Sequence, residues 1–188
     1  DVRVMRTLML PEGLPAKGYS KDKSGIILGG NFTSWYSGLD SYLIAQAVED
    51  KITNVSMGRK QPQEDLIDDI TYLPYMSWRQ WIDECSKYKV GVHMMRTHAA
   101  GTFSMNLSYH STPCLGYRSL DTQDLLHPQT TVEVGDIKGA STILKRLYND
   151  DDFYQECSEQ TKELFDKYYT EEAWLEDFKK VNKEFNNG

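Results

Sequence analysis

The chain has 188 residues, a length that suits one large α/β domain with a substantial hydrophobic core. Hydrophobic residues make up 39% and charged residues 26%, which is ordinary for a globular protein. The formal net charge of -7 argues against a protein that binds nucleic acid or anionic membranes over a broad surface. A phosphate ligand would therefore have to be held locally, by helix ends and a few placed cations.

Cysteine usage and hydropathy indicate the compartment. Cys85, Cys114 and Cys157 are odd in number and far apart, which favours reduced thiols in a cytosolic protein. No apolar run approaches the roughly 20 residues that a membrane-spanning helix needs. We expect a cytoplasmic protein, and peripheral attachment of a full-length protein to a membrane stays open. The chain begins at Asp1 rather than at a methionine, so it is also open whether it is a fragment of something longer.

The predicted elements alternate along the chain. Residues 1–23 carry prolines and glycines typical of a linker, or of the remnant of a missing N-terminal domain, and the domain itself spans residues 24–188. Apolar runs predict strands at 24–28, 52–57, 70–73, from 90 up to Arg96, at 114–117 and at 130–134. Helical spacing predicts helices at 38–50, from Ser77, from Thr102, from Asp136, at 152–168 and at 171–185, with a turn or helix at 122–126 and an irregular segment at 62–69. This order predicts an α/β fold: a doubly wound, Rossmann-like sheet of six parallel strands with helices on both faces.

The stretch from Val90 to Tyr117 is the centre of that pattern. It reads as a strand, a small-residue turn at Gly101, a helix from Thr102, a stop at Pro113 and a second strand. A helix that begins there would direct its free amides and its positive dipole end at the turn, which makes an anion site. The same residues also fit an ordinary structural βαβ crossover, so the pattern alone leaves both interpretations open.

Histidines and charged residues divide by their place in the pattern. His98 lies outside any apolar stripe, just before the turn, and is predicted to be functional. His110 shares an apolar helix face with Phe103 and is predicted to be a core histidine. Arg96 follows a strand at its carboxyl end, where a ligand contact and a surface charge are both possible. The acidic run 150–152 precedes a helix and is predicted to cap it rather than to bind a metal.

The final predicted helix carries an apolar stripe of Trp174, Phe178, Val181 and Phe185. We expect at least Trp174 and Phe178 to pack against this domain, because exposed apolar patches of this size seldom stay bare. Apolar surface that remains uncovered would favour weak self-association.

An ordered set of short motifs then suggests a family. The set comprises Gly29-Gly30-Asn31 after the first strand, Ala100-Gly101-Thr102-Phe103 at the central turn, Ser111-Thr112-Pro113-Cys114-Leu115-Gly116, His127-Pro128, and the aromatic segment from Tyr168 to Trp174. From about Ser24 to Phe185, the chain resembles the donor-binding, C-terminal half of a GT-B glycosyltransferase.

That resemblance implies where a nucleotide-sugar donor would lie. The base would sit near Tyr75 and Met76, the pyrophosphate on the Gly101 turn, and the ribose near Asn106. The implied catalytic residue is His98. The implied donor-binding residues are Gly29, Gly30, Asn31, Arg59, Lys60, Tyr75, Met76, Arg96, Ala100, Gly101, Thr102, Phe103 and Asn106.

The sequence departs from the family pattern in three ways. Many retaining members carry two glutamates eight residues apart, where this chain has His98 and Asn106, so the stereochemical outcome stays open. The basic residues often found after the first strand are missing, and Arg59, Lys60 and Arg96 are the available substitutes. The N-terminal acceptor half is absent from the sequence.

The resemblance implies transfer of a sugar from a nucleotide-diphosphate sugar to an unknown acceptor, without a metal or a separate cofactor. The partners implied are the donor, a sugar, lipid or protein acceptor, and the missing acceptor half; nucleic acid is not among them. A sugar-nucleotide epimerase of the same fold and a non-catalytic ligand-binding α/β domain are the alternatives.

Overall fold

The computed structural model describes residues 5–9, 14, 22–55, 59–98, 101–118 and 120–186. Six parallel strands form one sheet in the order β3-β2-β1-β4-β5-β6. The strands are β1 (Ile26–Leu28), β2 (Ile52–Asn54), β3 (Ile70–Tyr72), β4 (Val90–His93), β5 (Cys114–Tyr117) and β6 (Thr131–Val132). The predicted doubly wound sheet is confirmed, and its strand order reverses between β1 and β4.

Seven α-helices surround the sheet within the described residues. They are α1 (Gly38–Ala45), α2 (Trp78–Cys85), α3 (Thr102–Tyr109), α4 (Asp121–Leu126), α5 (Ile137–Asn149), α6 (Asp151–Tyr168) and α7 (Glu171–Asn186), with 3-10 helices at Pro62–Leu66 and Pro128–Thr130. The helices that the sequence predicted are all present, and the 122–126 segment is helical.

Several elements differ from the prediction; β1 begins at Ile26 rather than at 24, and β4 ends at His93 rather than near Arg96. Helix α1 ends at Ala45 rather than at 50, because the amides of Ala47 and Val48 bond three residues back and tighten the chain into turns. The segment predicted as irregular forms a 3-10 helix at Pro62–Leu66, which a reciprocal cap between Gln61 and Glu64 stabilises. Strand β6 keeps only two residues because a 3-10 helix ends at Thr130 and a turn begins after Val132. The end of the second predicted strand, at 56–57, lies outside the described residues.

Helix starts follow local chemistry. Ser77 and Gln80 form a capping box at the start of α2. Asp136 accepts a hydrogen bond from Gly139 N (2.8 Å) at the start of α5, and Asp150 accepts one from Phe153 N (3.0 Å) at the start of α6. The hydrogen bond from Phe153 N lowers the pKa of Asp150 below its ordinary value. The prediction that the acidic run caps a helix is therefore confirmed.

The core forms two layers, one on each face of the sheet. Val90 and Val92 of β4 belong to the layer under α1 and α5, while Gly91 and His93 face α3. A side chain at Gly91 would come 2.1 Å from a terminal carbon of Leu107, so the glycine allows α3 to lie close against the sheet. Leu107 is fully buried there.

Parts of the predicted linker pack into the domain. Met9 is buried in the layer that includes α2 and α3. The buried Lys23 donates to His110 O (2.5 Å) and to Thr112 Oγ1 (2.9 Å). Burial lowers the pKa of Lys23 to about 8. These contacts join residues before 24 to the domain that follows them.

Helix α7 extends over the whole predicted range, but its stripe is only partly covered. Trp174 is half-buried and stacks on Phe178 at 5.5 Å between ring centroids. Phe178 is 45% exposed and Phe185 is 60% exposed. Of the two aromatic residues expected to pack against the domain, Trp174 is half-buried and Phe178 remains partly exposed; neither belongs to the hydrophobic clusters of the described core.

The sequence predicted reduced, buried thiols and no membrane-spanning helix. Cys85, Cys114 and Cys157 are free and buried, as reduced thiols should be. Within the ranges that the structure describes, no helix combines the length and apolar character needed to cross a membrane.

Candidate functional site

The candidate site lies at the carboxyl ends of β1 and β4, where the strand order reverses. In a doubly wound sheet the loops after these two strands run to opposite faces and leave a crevice for a ligand. Gly29 donates its amide to Val92 O (2.9 Å), and a side chain there would come 2.6 Å from the His93 ring. Gly30 has φ +80°, and a side chain at Gly30 would come 2.8 Å from Tyr36 Cβ. The structure thus places both predicted glycines at the carboxyl end of β1, with protein side chains packed closely against them; their contact with a ligand stays a prediction.

His93 lies beneath the loop after β1, between Gly29, Tyr36 and Phe103, a position that strand spacing alone did not reveal. Its ring stacks on Tyr36 at 6.5 Å and meets Phe103 edge-on at 5.1 Å. The side chain is buried, and among the described residues neither ring nitrogen has a hydrogen-bond partner. Burial lowers the pKa of His93 to about 4, so the ring is neutral at pH 7. A polar residue at the end of an otherwise apolar strand was the signal in the sequence.

Asn31 joins the loop after β1 to the loop after β2. Its Oδ1 accepts from Thr33 N (3.2 Å) and Thr33 Oγ1 (2.7 Å), and its Nδ2 donates to Arg59 O (2.7 Å). Both functional groups of the amide are therefore committed to loop structure. Arg59 and Lys60 are exposed, and Lys60 pairs with Asp65 at 2.8 Å.

The loop after β4 brings two predicted residues to the same edge. His98 is exposed there. Arg96 Nη2 donates to Asp40 Oδ2 (2.7 Å), and Tyr117 OH donates to the same oxygen (2.9 Å). The hydrogen bond to Asp40 raises the pKa of Arg96 above its ordinary value, so this guanidinium stays charged. Arg96 is thus a fixed cation at the carboxyl end of a central strand.

The N-terminus of α3 is less free than the sequence suggested. Gly101 is its N-cap, and Gly101 N donates to Asp121 Oδ1 at 3.4 Å. A side chain on Gly101 would come 2.6 Å from Thr122 Oγ1, so the glycine accommodates the start of α4. A carboxylate already faces the first amide of this predicted anion site. Ala100, another predicted contact, lies outside the described residues.

The three predicted ligand contacts on α3 differ in how far their side chains are exposed. Thr102 is exposed at the first turn. Phe103 is buried against Trp81 at 6.0 Å and His93, so only its backbone could meet a ligand. Asn106 is 4% exposed, and its Oδ1 has no partner among the described residues. The ribose contact predicted for Asn106 therefore concerns a buried side chain.

The predicted base region lies after β3. Tyr75 is 85% exposed and Met76 is half-buried. They line an open groove of about 490 Å³ together with Pro74, Arg79, Gln80, Asp83 and Glu84. The groove offers an aromatic face and a thioether beside the start of α2.

The other histidines are structural. His110 is fully buried with Nε2 2.8 Å from Ile82 O, which confirms its core role, although its Nδ1 has no partner in the described part of the chain. His127 Nδ1 accepts from Cys114 N (3.2 Å), and its Nε2 lies 2.9 Å from Ser108 Oγ. Burial lowers the pKa of His127 to about 4. The Ser108–His127 pair has the atoms of a nucleophile and its base, but both side chains are buried away from any ligand.

The described residues place no cluster of potential metal ligands at this edge. Within the described ranges, no group of three or more histidines, cysteines or acidic residues is arranged to hold a metal ion.

Comparisons with known proteins find similarity in structure. No protein-family model matches the sequence, and no curated protein matches it either. Among solved structures, sucrose-phosphate synthase from Thermosynechococcus elongatus is similar with a TM-score of 0.70 and 14% identity, over 89% of this chain and 47% of that one. The lipopolysaccharide outer core galactosyltransferase WaaB has a TM-score of 0.71 and 10% identity, over 100% of this chain and 56% of its own.

A third similar structure contains a nucleotide. The Anabaena protein HepE, solved in complex with UDP, has a TM-score of 0.66 and 7% identity, over 89% of this chain and 50% of its own. The chain spans about half the length of each of these three proteins. It therefore has the fold of one half of a GT-B glycosyltransferase.

Proposed function

We propose that this chain is the donor-binding half of a glycosyltransferase that transfers a sugar from a nucleoside-diphosphate sugar to an acceptor. The observation that carries the proposal is coverage: glycosyltransferase structures match 89% to 100% of this chain, which spans about half of each. A structure of HepE with UDP, and one of the pneumococcal O-GlcNAc transferase GtfA with UDP and GlcNAc, support a nucleoside diphosphate as the ligand class.

The proposed binding place is the crevice between the loops after β1 and β4. The diphosphate would lie near the Gly101 turn, where the dipole of α3 favours an anion, with Arg96 as the cation beside it. The nucleoside would extend toward the groove of Tyr75 and Met76. Aromatic and apolar side chains suit a base, whereas the charged diphosphate needs donors and cations.

The chemistry proposed for this half is electrostatic. As the bond between sugar and diphosphate breaks, negative charge builds on the leaving diphosphate, and preorganised donors there lower the barrier. Arg96 and the amides of α3 would supply that stabilisation without a metal. His98 is the proposed catalytic residue, because it is exposed in the same loop and its imidazole can donate to a phosphate or to the sugar.

The acceptor would be held by the other half of the enzyme. Residues 24–188 form the proposed donor domain, and residues before them lead to the acceptor half. This division predicts that the chain alone binds donor without transferring sugar.

The test is a titration of the purified chain with UDP, GDP and ADP, followed by ligand-observed NMR. At least one nucleotide should bind with a Kd in the millimolar range or below, since half of the cleft walls are present. Ribose 5-phosphate serves as a control for generic phosphate binding. Silence from all three nucleotides at millimolar concentration would refute the donor-domain assignment.

A further inference from the structure

Three side chains meet beside the crevice in a cluster that the proposed function does not yet use. Asp40 lies in the first turn of α1, Arg96 follows β4, and Tyr117 ends β5. Asp40 Oδ2 accepts from Arg96 Nη2 (2.7 Å) and from Tyr117 OH (2.9 Å). One carboxylate oxygen therefore joins a helix, a loop and a strand at the carboxyl edge of the sheet.

We infer that Asp40 is a positioning residue that holds the Arg96 guanidinium toward the diphosphate of a nucleotide ligand, with Tyr117 holding Asp40 in turn. The inference rests on the proposed function, because it needs a diphosphate in the adjacent crevice.

The exposed fractions of Arg96 and Asp40 show which of the two side chains faces solvent. The Arg96 side chain is 49% exposed, whereas that of Asp40 is only 13% exposed. The contact uses one nitrogen of a guanidinium that carries five N–H donors. The carboxylate thus anchors the arginine from the protein side and leaves donors on the open side.

The anchor itself is held by the fold. Asp40 lies where the α1 dipole favours a negative charge. Tyr117 is fully buried, and burial raises the pKa of its hydroxyl to about 12, so it remains protonated and donates. A guanidinium fixed in this way loses less conformational freedom when an anion binds than a freely rotating arginine would.

The backbone of the arginine loop is tied down by other contacts. Arg96 N donates to Trp35 O (3.2 Å), and Met94 N donates to Ser41 Oγ (3.1 Å). Removal of the Asp40 carboxylate should therefore free the Arg96 side chain while its loop stays in place. This separation makes the role of Asp40 measurable.

The experiment is a double-mutant cycle on the full chain with UDP as the probe. Asp40→Ala should raise the Kd for UDP about five-fold in the wild-type background, and less than two-fold when Arg96→Ala is already present. Tyr117→Phe keeps the ring, loses the donor to Asp40, and should raise the Kd about two-fold. Dispersed NMR signals will show whether Asp40→Ala is folded. If it is not, Tyr117→Phe replaces it in the same double-mutant cycle with Arg96→Ala.

A matched control breaks another arginine pair at the same edge. Arg118 Nε donates to Glu133 Oε1 (2.8 Å) just after β5, and both side chains are exposed. Glu133→Ala should leave the Kd for UDP unchanged.

The outcomes distinguish a positioning role of Asp40 from two alternatives, neutralisation of the Arg96 charge and an indirect effect through the fold. Unchanged or tighter UDP binding by Asp40→Ala would mean that the carboxylate merely neutralises Arg96, and would overturn the inference. An equal loss in both arginine backgrounds would also overturn it, since Asp40 would then act through the fold. If wild-type chain bound no nucleotide, the proposed function and this inference would fall together. Binding that Arg96→Ala left intact would remove the inference alone.

Discussion

The packing of Leu107 on Gly91 yields a prediction with an internal check. Leu107 is fully buried in α3, and a side chain at Gly91 would come 2.1 Å from its Cδ1. Leu107→Ala should lower the free energy of unfolding by about 2 to 5 kcal/mol, the usual cost of a buried truncation with its cavity. Gly91→Ala should cost about 1 to 3 kcal/mol, because the added methyl has no room in a close-packed layer.

The double variant separates this explanation from a general weakening of the domain. Once Leu107 is shortened, the nearest atoms to a side chain at Gly91 are Phe103 Cε1 at 3.3 Å and Cys114 Sγ at 3.4 Å, which requires only a small adjustment. The combined variant should therefore cost about as much as Leu107→Ala alone, with a coupling of at least about 1 kcal/mol.

Urea unfolding followed by circular dichroism measures all three variants against the wild type. Leu66, which is 85% exposed, provides the control, since Leu66→Ala should change stability by less than about 0.5 kcal/mol. Strictly additive costs in the double variant would refute the proposed contact between Leu107 and the strand.

Three further predictions concern pH and ligand binding. Burial lowers the pKa of both His93 and His127 to about 4, below the ordinary 6.5. Between these two values the unfolded chain binds more protons than the folded chain. The free energy of unfolding should therefore fall as pH drops from about 6.5 toward 4. Thermal melts across that range should show the loss. His93→Leu should reduce its slope without abolishing it, because burial also lowers the pKa of His110 and His127. Asp121→Asn should tighten UDP binding about two-fold to five-fold in an NMR titration, because it removes a negative charge facing the first amide of α3. Arg96→Ala or His98→Ala should weaken UDP binding about ten-fold with little change in melting temperature, since each loses one charge-assisted contact and both side chains are exposed.

Their controls use the same measurements. A pH slope that His93→Leu left unchanged would assign the acid sensitivity to other groups. Asp124→Asn removes the same charge from α4 at an exposed position and should affect UDP less than Asp121→Asn. Weaker binding by Asp121→Asn would mean that its carboxylate supports the turn rather than opposing the ligand. Early melting of Arg96→Ala or His98→Ala with normal binding would identify that residue as structural.

Local patterns in the sequence determined the elements and their order. Apolar runs and helical spacing mark strands and helices because side-chain periodicity follows directly from backbone geometry. Caps such as Ser77, Asp136 and Asp150 bond to amides three residues ahead, so both partners are visible within a few positions. The parallel sheet followed from the alternation, since successive parallel strands need a crossover.

Only the tertiary structure decided what each site residue touches. Arg96 bonds to Asp40 across 56 positions, and Gly101 meets Asp121 across 20; no local spacing connects these partners. Asn106 reads as a polar helix position, yet it is buried because helices from elsewhere in the chain pack around α3. The environment of a side chain depends on elements brought together by folding, and the sequence orders those elements without specifying how closely their surfaces meet.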